Sequence, residues 1–128
     1  MDFADQGYDV IFGHGFQFME PIVKVAPSYP ETDFLLGTGY KSVDNSAIYD
    51  VHLQSGGCLM GVVAALATQT NKIGVVGGVD AAEIMRGHEG FKLGAKSVNP
   101  DIEIQEVYTG DWTDTAGAKE AAVGMYDS

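Results

Sequence analysis

The chain moves between two hydrophobic periods. Residues 8–12 (YDVIF), 33–37 (DFLLG) and 73–76 (IGVV) are short apolar runs, rich in branched or aromatic side chains and closed by glycine. Such side chains pack well on a pleated surface, so these runs predict buried strands. Residues 46–53 alternate, with Ala47, Tyr49, Val51 and Leu53 on one face and Ile48 and His52 on the other, which predicts a further strand. Residues 103–109 alternate around Ile104 and predict a less buried one.

Between these runs the period becomes helical. Residues 1–6 look like the end of a helix. Residues 17–29 set Phe18, Ile22, Val25, Ala26 and Tyr29 on one face, with Pro21 in the first turn and Pro27 and Pro30 as breakers. Phe18 and Met19 are expected in the core. Ser55-Gly56-Gly57 is expected to start the next helix, residues 58–68, which is apolar almost all round and so predicted to be heavily buried, with Cys58 as a small core residue. Residues 72–99 are the organising unit: a strand, a Gly77-Gly78 turn, and a helix with Asp80 as N-cap and Glu83 three residues on. Its apolar face is Ile84, His88, Phe91, Ala95 and Val98, and Asn99-Pro100 ends it. A last helix follows a cap at Thr113 or Asp114, with Ala118, Ala121, Ala122 and Met125 inward. Strand, tight turn and helix in succession predict an α/β fold with parallel strands in a three-layer αβα arrangement.

Composition narrows the chemistry. Net charge is −11 and the pI is near 4.3, with seven Lys and Arg scattered along the chain. Phosphate backbones and anionic membranes need basic patches, so nucleic acid is not an expected partner. The single cysteine leaves no intrachain disulfide, and the three histidines lie on different elements without ligand spacing, so no metal is expected. No apolar run approaches the roughly 20 residues of a membrane-spanning helix.

Strand-exit turns carry the candidate binding residues, because open parallel sheets bind ligands at the carboxyl ends of their strands. The first is Gly13-His14-Gly15-Phe16. It begins like a dinucleotide fingerprint, but Phe18 stands where the third glycine belongs. His14 is either a ligand hydrogen-bonding group or a loop histidine without a role. Gly77, Gly78 and Asp80 form the second such turn. Lys41 reads as a solvated lysine. Trp112, the one tryptophan, is either a cap over the core edge or a flat platform for a ring-shaped ligand.

Several ordered motifs resemble one family. Residues 7–16 (GYDVIFGHGF), 38–45 (TGYKSVDN), Arg86 with Gly90-Phe91-Lys92-Leu93-Gly94, Asn99-Pro100-Asp101-Ile102 and Trp112-Thr113-Asp114 are similar, in this order, to the basic-membrane-protein family of substrate-binding lipoproteins. The resemblance implies a type I periplasmic-binding-protein fold, and ligand capture for an ABC importer rather than an enzyme. The implied ligand is a purine or purine nucleoside, held by closure of two lobes, with the permease as partner and no cofactor. It implies cleft residues at Gly13, His14, Gly15, Phe16, Thr38, Gly39, Tyr40, Gly77, Gly78, Asp80, Trp112 and Asp114, with Trp112 stacking on the base. It also implies that residues 1–70 are the later part of a first lobe, that residues 68–71 form the hinge, and that residues 71–128 begin a second lobe. The chain is then expected to be a piece of a longer, extracytoplasmic, lipid-anchored protein, whose exposed sheet edges invite self-association. A Rossmann-like nucleotide-dependent enzyme and the ligand-sensing domain of a transcription regulator are the alternatives.

Overall fold

A computed structural model describes residues 2–127. They form two compact units, divided between Val51 and His52. In the first, the short helix α1 (Asp2–Asp5) precedes strand β1 (Val10–His14), helix α2 (Met19–Val25), strand β2 (Asp33–Gly37) and strand β3 (Ser46–Tyr49). The three strands are parallel in the order β1-β2-β3. Their register sets Ile11, Phe34 and Ser46 side by side, then Phe12, Leu35 and Ala47, then Gly13, Leu36 and Ile48, then His14, Gly37 and Tyr49. Side chains alternate between faces. Phe34 and Leu36 therefore meet Met19 and Ile22 of α2, and Ala26 just after it, in the core, together with Ala4. Val10, Phe12 and Tyr49 occupy the other face and are exposed.

The second unit opens with helix α3 (Leu53–Ala67) and continues through strand β4 (Lys72–Gly77), helix α4 (Ala82–Val98), strand β5 (Glu103–Tyr108) and helix α5 (Thr115–Tyr126). Strands β4 and β5 pair in parallel from Lys72–Glu103 to Gly77–Tyr108. A Cβ on Gly74 would meet Met125 of α5, and one on Gly77 would meet His88 of α4. Positions 74 and 77 face opposite ways on a strand, so α4 and α5 flank this sheet in the expected αβα order.

Several boundaries differ from the sequence expectation. The strand predicted at residues 8–12 runs two residues later, as Val10–His14, so Gly13 and His14 are strand residues and not a phosphate turn. The helix predicted over residues 17–29 is a 3-10 turn at Phe16–Phe18, then α2, then a second 3-10 turn at Ala26–Ser28, because Pro27 cannot donate the next helical hydrogen bond. Met19 is core, but Phe18 is exposed. Strand β3 stops at Tyr49, and His52 is the N-cap residue of α3 rather than a sheet residue. Asp80 does not cap α4: the helix starts after Ala81, whose carbonyl accepts from Ile84 and Met85. Asp114 does cap α5, accepting from the Gly117 amide at 2.8 Å.

The largest difference is α3. It starts five residues before Cys58 and includes Gly56, Gly57 and Gly61. A Cβ on Gly57 or Gly61 would run into the carbonyls of Gly87 and Phe91, and one on Gly90 or Gly94 into those of Gln54 and Cys58. The glycines are not breakers here. They are the surface on which two helices touch backbone to backbone. The rest of α3 has no such partner: Leu59, Met60, Val63 and Leu66 are exposed, not buried as predicted. This contact also ties α3 to the second unit. Residues 68–71, expected as a hinge, are a turn inside that unit, with Asn71 at φ 59° and Thr68 Oγ1 donating to the Lys72 carbonyl at 3.0 Å. Among the described residues no helix is long and apolar enough to cross a membrane.

The seam gives opposite expectations for glycines on different faces of α3. Gly61→Ala and Gly94→Ala should each cost about 1–3 kcal/mol, because a helix backbone cannot yield to a new methyl group. Gly56 has nothing within 4 Å of a would-be Cβ. Gly56→Ala should therefore stabilise by about 0.5–1 kcal/mol through helix propensity. Urea denaturation followed by circular dichroism separates the two signs, and equal effects at positions 56 and 61 would refute the seam.

Candidate functional site

Each unit presents a rim where its parallel strands end. In the first, Gly13, His14, Gly15 and Phe16 lie beside Thr38 and Gly39, as the sequence suggested. The Gly15 amide donates to the Gly37 carbonyl at 2.9 Å, and the Thr38 amide to the Tyr49 carbonyl at 3.0 Å. Gly15 sits at φ 116°, a conformation that favours glycine. Thr38 adopts φ 65° without being glycine, and its hydroxyl is buried with no hydrogen-bond partner among the described residues. Strained backbone and an orphaned polar atom at one residue are costs that accumulate at functional positions. Tyr40 leaves the rim: the residue is 72% exposed, and its amide donates to Met19 Sδ at 3.4 Å. Lys41 pairs with Glu20 at 2.6 Å on the surface.

Tyr49 is the rim residue that the sequence pattern did not single out. Its hydroxyl lies 3.0 Å from His14 Nδ1. The register would have revealed it, since His14, Gly37 and Tyr49 share a row and a face.

The second rim is built from the ends of β4 and β5. The Thr109 amide donates to the Gly77 carbonyl at 2.9 Å and the Gly110 amide to the Gly78 carbonyl at 2.7 Å. The Thr109 hydroxyl donates to the carbonyls of Gly78, at 3.1 Å, and Asp111, at 2.8 Å. Asp111 Oδ1 accepts from both the amide and the hydroxyl of Thr113, which holds the Asp111 carboxyl below its ordinary pKa. This lattice fixes the loop that carries Trp112. A Cβ on Gly78 would lie 3.0 Å from Trp112 Cε3, so the indole rests against the glycine turn while 55% of the residue stays exposed. Gly77, Gly78 and Trp112 are thus brought together. Asp80 is exposed ahead of α4, and the Asp114 carboxylate is turned into the α5 cap.

Beneath this rim lies a polar cluster that the sequence did not suggest. Glu106 of β5 accepts from Lys92 at 2.8 Å, from Tyr108 at 2.9 Å and from His88 Nδ1 at 2.9 Å. The carboxylate can only accept, so Nδ1 of His88 carries the proton. The His88 and Tyr108 rings stack at 4.9 Å, in space left open by Gly77. Burial opposes the charge on Glu106, but the bonds from Lys92, His88 and Tyr108 outweigh it and hold the carboxyl below its usual range. Burial, then the bond to Glu106, push the Tyr108 phenol up to about 12. Hydrogen bonds to Glu106 and Glu89 raise the Lys92 ammonium and keep it charged.

The whole chain, residues 1–128, matches the family of PnrA-like ABC transporter substrate-binding proteins. It is 36% identical over 124 residues to a purine-binding protein of Brucella abortus, covering 97% of this chain and 35% of that one. It is also 36% identical over 127 residues to the ABC transporter nucleoside-binding protein BmpA of Lactococcus lactis, covering 96% of this chain and 35% of that one. A solved ABC transporter solute-binding protein from Aeropyrum pernix superposes with a TM-score of 0.83 at 32% identity, over 97% of this chain and 38% of that structure. The chain spans about a third of the length of the curated relatives it matches.

The cluster beneath Trp112 makes two pH limbs. The folded pKa of Glu106 is lowered, so its stabilisation is present above the ordinary carboxylate pKa and lost as pH falls through the lowered value. The folded pKa of Tyr108 is raised, so its contribution is complete below its ordinary value of 10.0 and lost as pH rises toward about 12. Glu106→Gln should cost about 1–3 kcal/mol at neutral pH and flatten the acid limb of a denaturation series. Tyr108→Phe should remove one late-ionising phenol from an absorbance titration; an unchanged curve would refute the assignment.

Proposed function

Because the chain belongs to the family of PnrA-like ABC transporter substrate-binding proteins, we propose that the protein it represents captures a purine or purine nucleoside for an ABC importer. The matched family is one of ABC transporter substrate-binding proteins and not of enzymes, which sets the Rossmann-like reading aside. Trp112 carries the ligand assignment. An exposed indole, fixed by a hydrogen-bonded loop at a strand exit, offers a rigid apolar plane of the size of a purine. Each unit offers its rim: glycines and backbone amides supply close approach and hydrogen bonds, and Trp112 supplies stacking. The names of the Brucella and Lactococcus relatives support the same ligand class. The cognate permease is the proposed partner, and a lipid anchor in the full-length protein would keep the receptor beside it. Acidity suits this role, since an anionic surface neither adheres to nucleic acid nor spreads on anionic lipid.

Trp112 is also the only tryptophan of this chain, and in the full-length protein the quenching that Trp112→Phe removes is its own. Titrating the full-length protein with adenosine, guanosine and inosine should give saturable quenching, with NAD and a sugar silent. Trp112→Ala should weaken nucleoside binding by about five- to a hundredfold, the value of one base–aromatic stack, and Trp112→Phe should retain most of it. A flat response to every nucleoside would overturn the ligand assignment.

A further inference from the structure

His14 ends β1, Tyr49 ends β3, and Gly37 lies between them in the register. All three share the sheet face opposite α2. His14 Nδ1 and the Tyr49 hydroxyl are 3.0 Å apart, and the two rings lie nearly parallel, 25° between planes with centroids 6.1 Å apart. Phe12 meets Tyr49 at 66°, centroid to centroid 6.2 Å. A Cβ on Gly37 would strike both His14 Nδ1 and the Tyr49 hydroxyl. The pair exists because β2 ends in a residue with no side chain.

The bond has a chemical direction. A phenol is a better donor than acceptor, and an unprotonated imidazole nitrogen is a good acceptor. The Tyr49 hydroxyl has no other partner among the described residues. With O–H donating to Nδ1, the ring proton resides on Nε2. His14 is exposed, and its Nε2 has no partner among the described residues. The rim therefore holds an outward side-chain N–H donor in a fixed orientation.

We propose that His14, held by Tyr49 over Gly37 as the Nε2–H tautomer, donates a hydrogen bond to an acceptor atom of the ligand, with Tyr49 as the positioning residue. This rests on the purine reading. A purine base presents ring nitrogens and, in some bases, a carbonyl oxygen as acceptors, so the donor selects ligands that carry a lone pair at that point. A neutral hydrogen bond of about 1 kcal/mol gives roughly five- to tenfold discrimination.

Two measurements test it. Ring-nitrogen NMR of this chain should show His14 with Nδ1 unprotonated, and Tyr49→Phe should shift the tautomer population. A dominant Nδ1–H form, or identical populations in Tyr49→Phe, would overturn the pair. The second compares adenosine with its ring-deaza analogues, each lacking one ring-nitrogen acceptor, on the full-length protein. One analogue should bind roughly five- to tenfold more weakly, and that penalty should vanish in His14→Phe and shrink in Tyr49→Phe. The same penalty in His14→Phe, or no penalty for any analogue, would overturn the donor role, and His14→Phe alone carries this arm if Tyr49→Phe disturbs the sheet. Failure of the wild-type protein to bind any nucleoside removes the purine reading and the ligand role with it, while the tautomer result still decides the pair.

Discussion

Helices α3 and α4 meet through glycine on both sides, and much of the second unit hangs from that contact. Gly57 and Gly61 bring α3 onto the carbonyls of Gly87 and Phe91, while Gly90 and Gly94 bring α4 onto those of Gln54 and Cys58. Such an approach admits no side chain, so it sets the rotation of α4 about its own axis. With that rotation set, His88 and Lys92 fall over β5 and reach Glu106. Glu106 in turn accepts from Tyr108, the last residue of β5. The next residue, Thr109, begins the lattice that holds Trp112 against Gly78. Position is handed from helix seam to polar cluster to rim, the last two steps through hydrogen bonds of 2.7–3.1 Å.

The first unit has a smaller anchor. Pro27 and Pro30 interrupt the chain after α2, and the carbonyls near that break lose the amides that a continuing helix would supply. Asn45 Nδ2 answers them, lying 2.9 Å from the carbonyls of Ala26, Tyr29 and Thr32. The residue after Asn45 starts β3. The amide therefore also decides where that strand enters the sheet, and hence that Tyr49 ends level with His14.

What the sequence revealed and what it hid follow from the range of the interactions. Strand β2 matched its predicted span, and β4 and β5 came within a residue, because each is a local pattern bounded by turn residues. The buried face of α4 at His88, Phe91 and Ala95 was legible for the same reason. The start of α3 was not: Gly56-Gly57 looks like a breaker until α4 is placed against it. Glu106 and Lys92 look like solvated charges until the parallel register and the α4 rotation bring them together. The Asp80–Glu83 spacing fits a capping box, yet the chain is still leaving the Gly77-Gly78 turn at Asp80, and the helix begins after Ala81. Trp112 was legible as a candidate because it is unique and follows a strand, whereas Tyr49 needed a three-strand register.

The glycine seam also has a genetic meaning. A bulky side chain in an ordinary core collides with another side chain, and trimming that neighbour restores the fit. At Gly57, Gly61, Gly90 and Gly94 the opposing atoms are backbone carbonyls, which no codon can shorten. Lesions there have no compensating partner across the interface. Suppressors must arise elsewhere, by raising the stability of the unit as a whole, and the two helices will keep their match without any trace of correlated change between them.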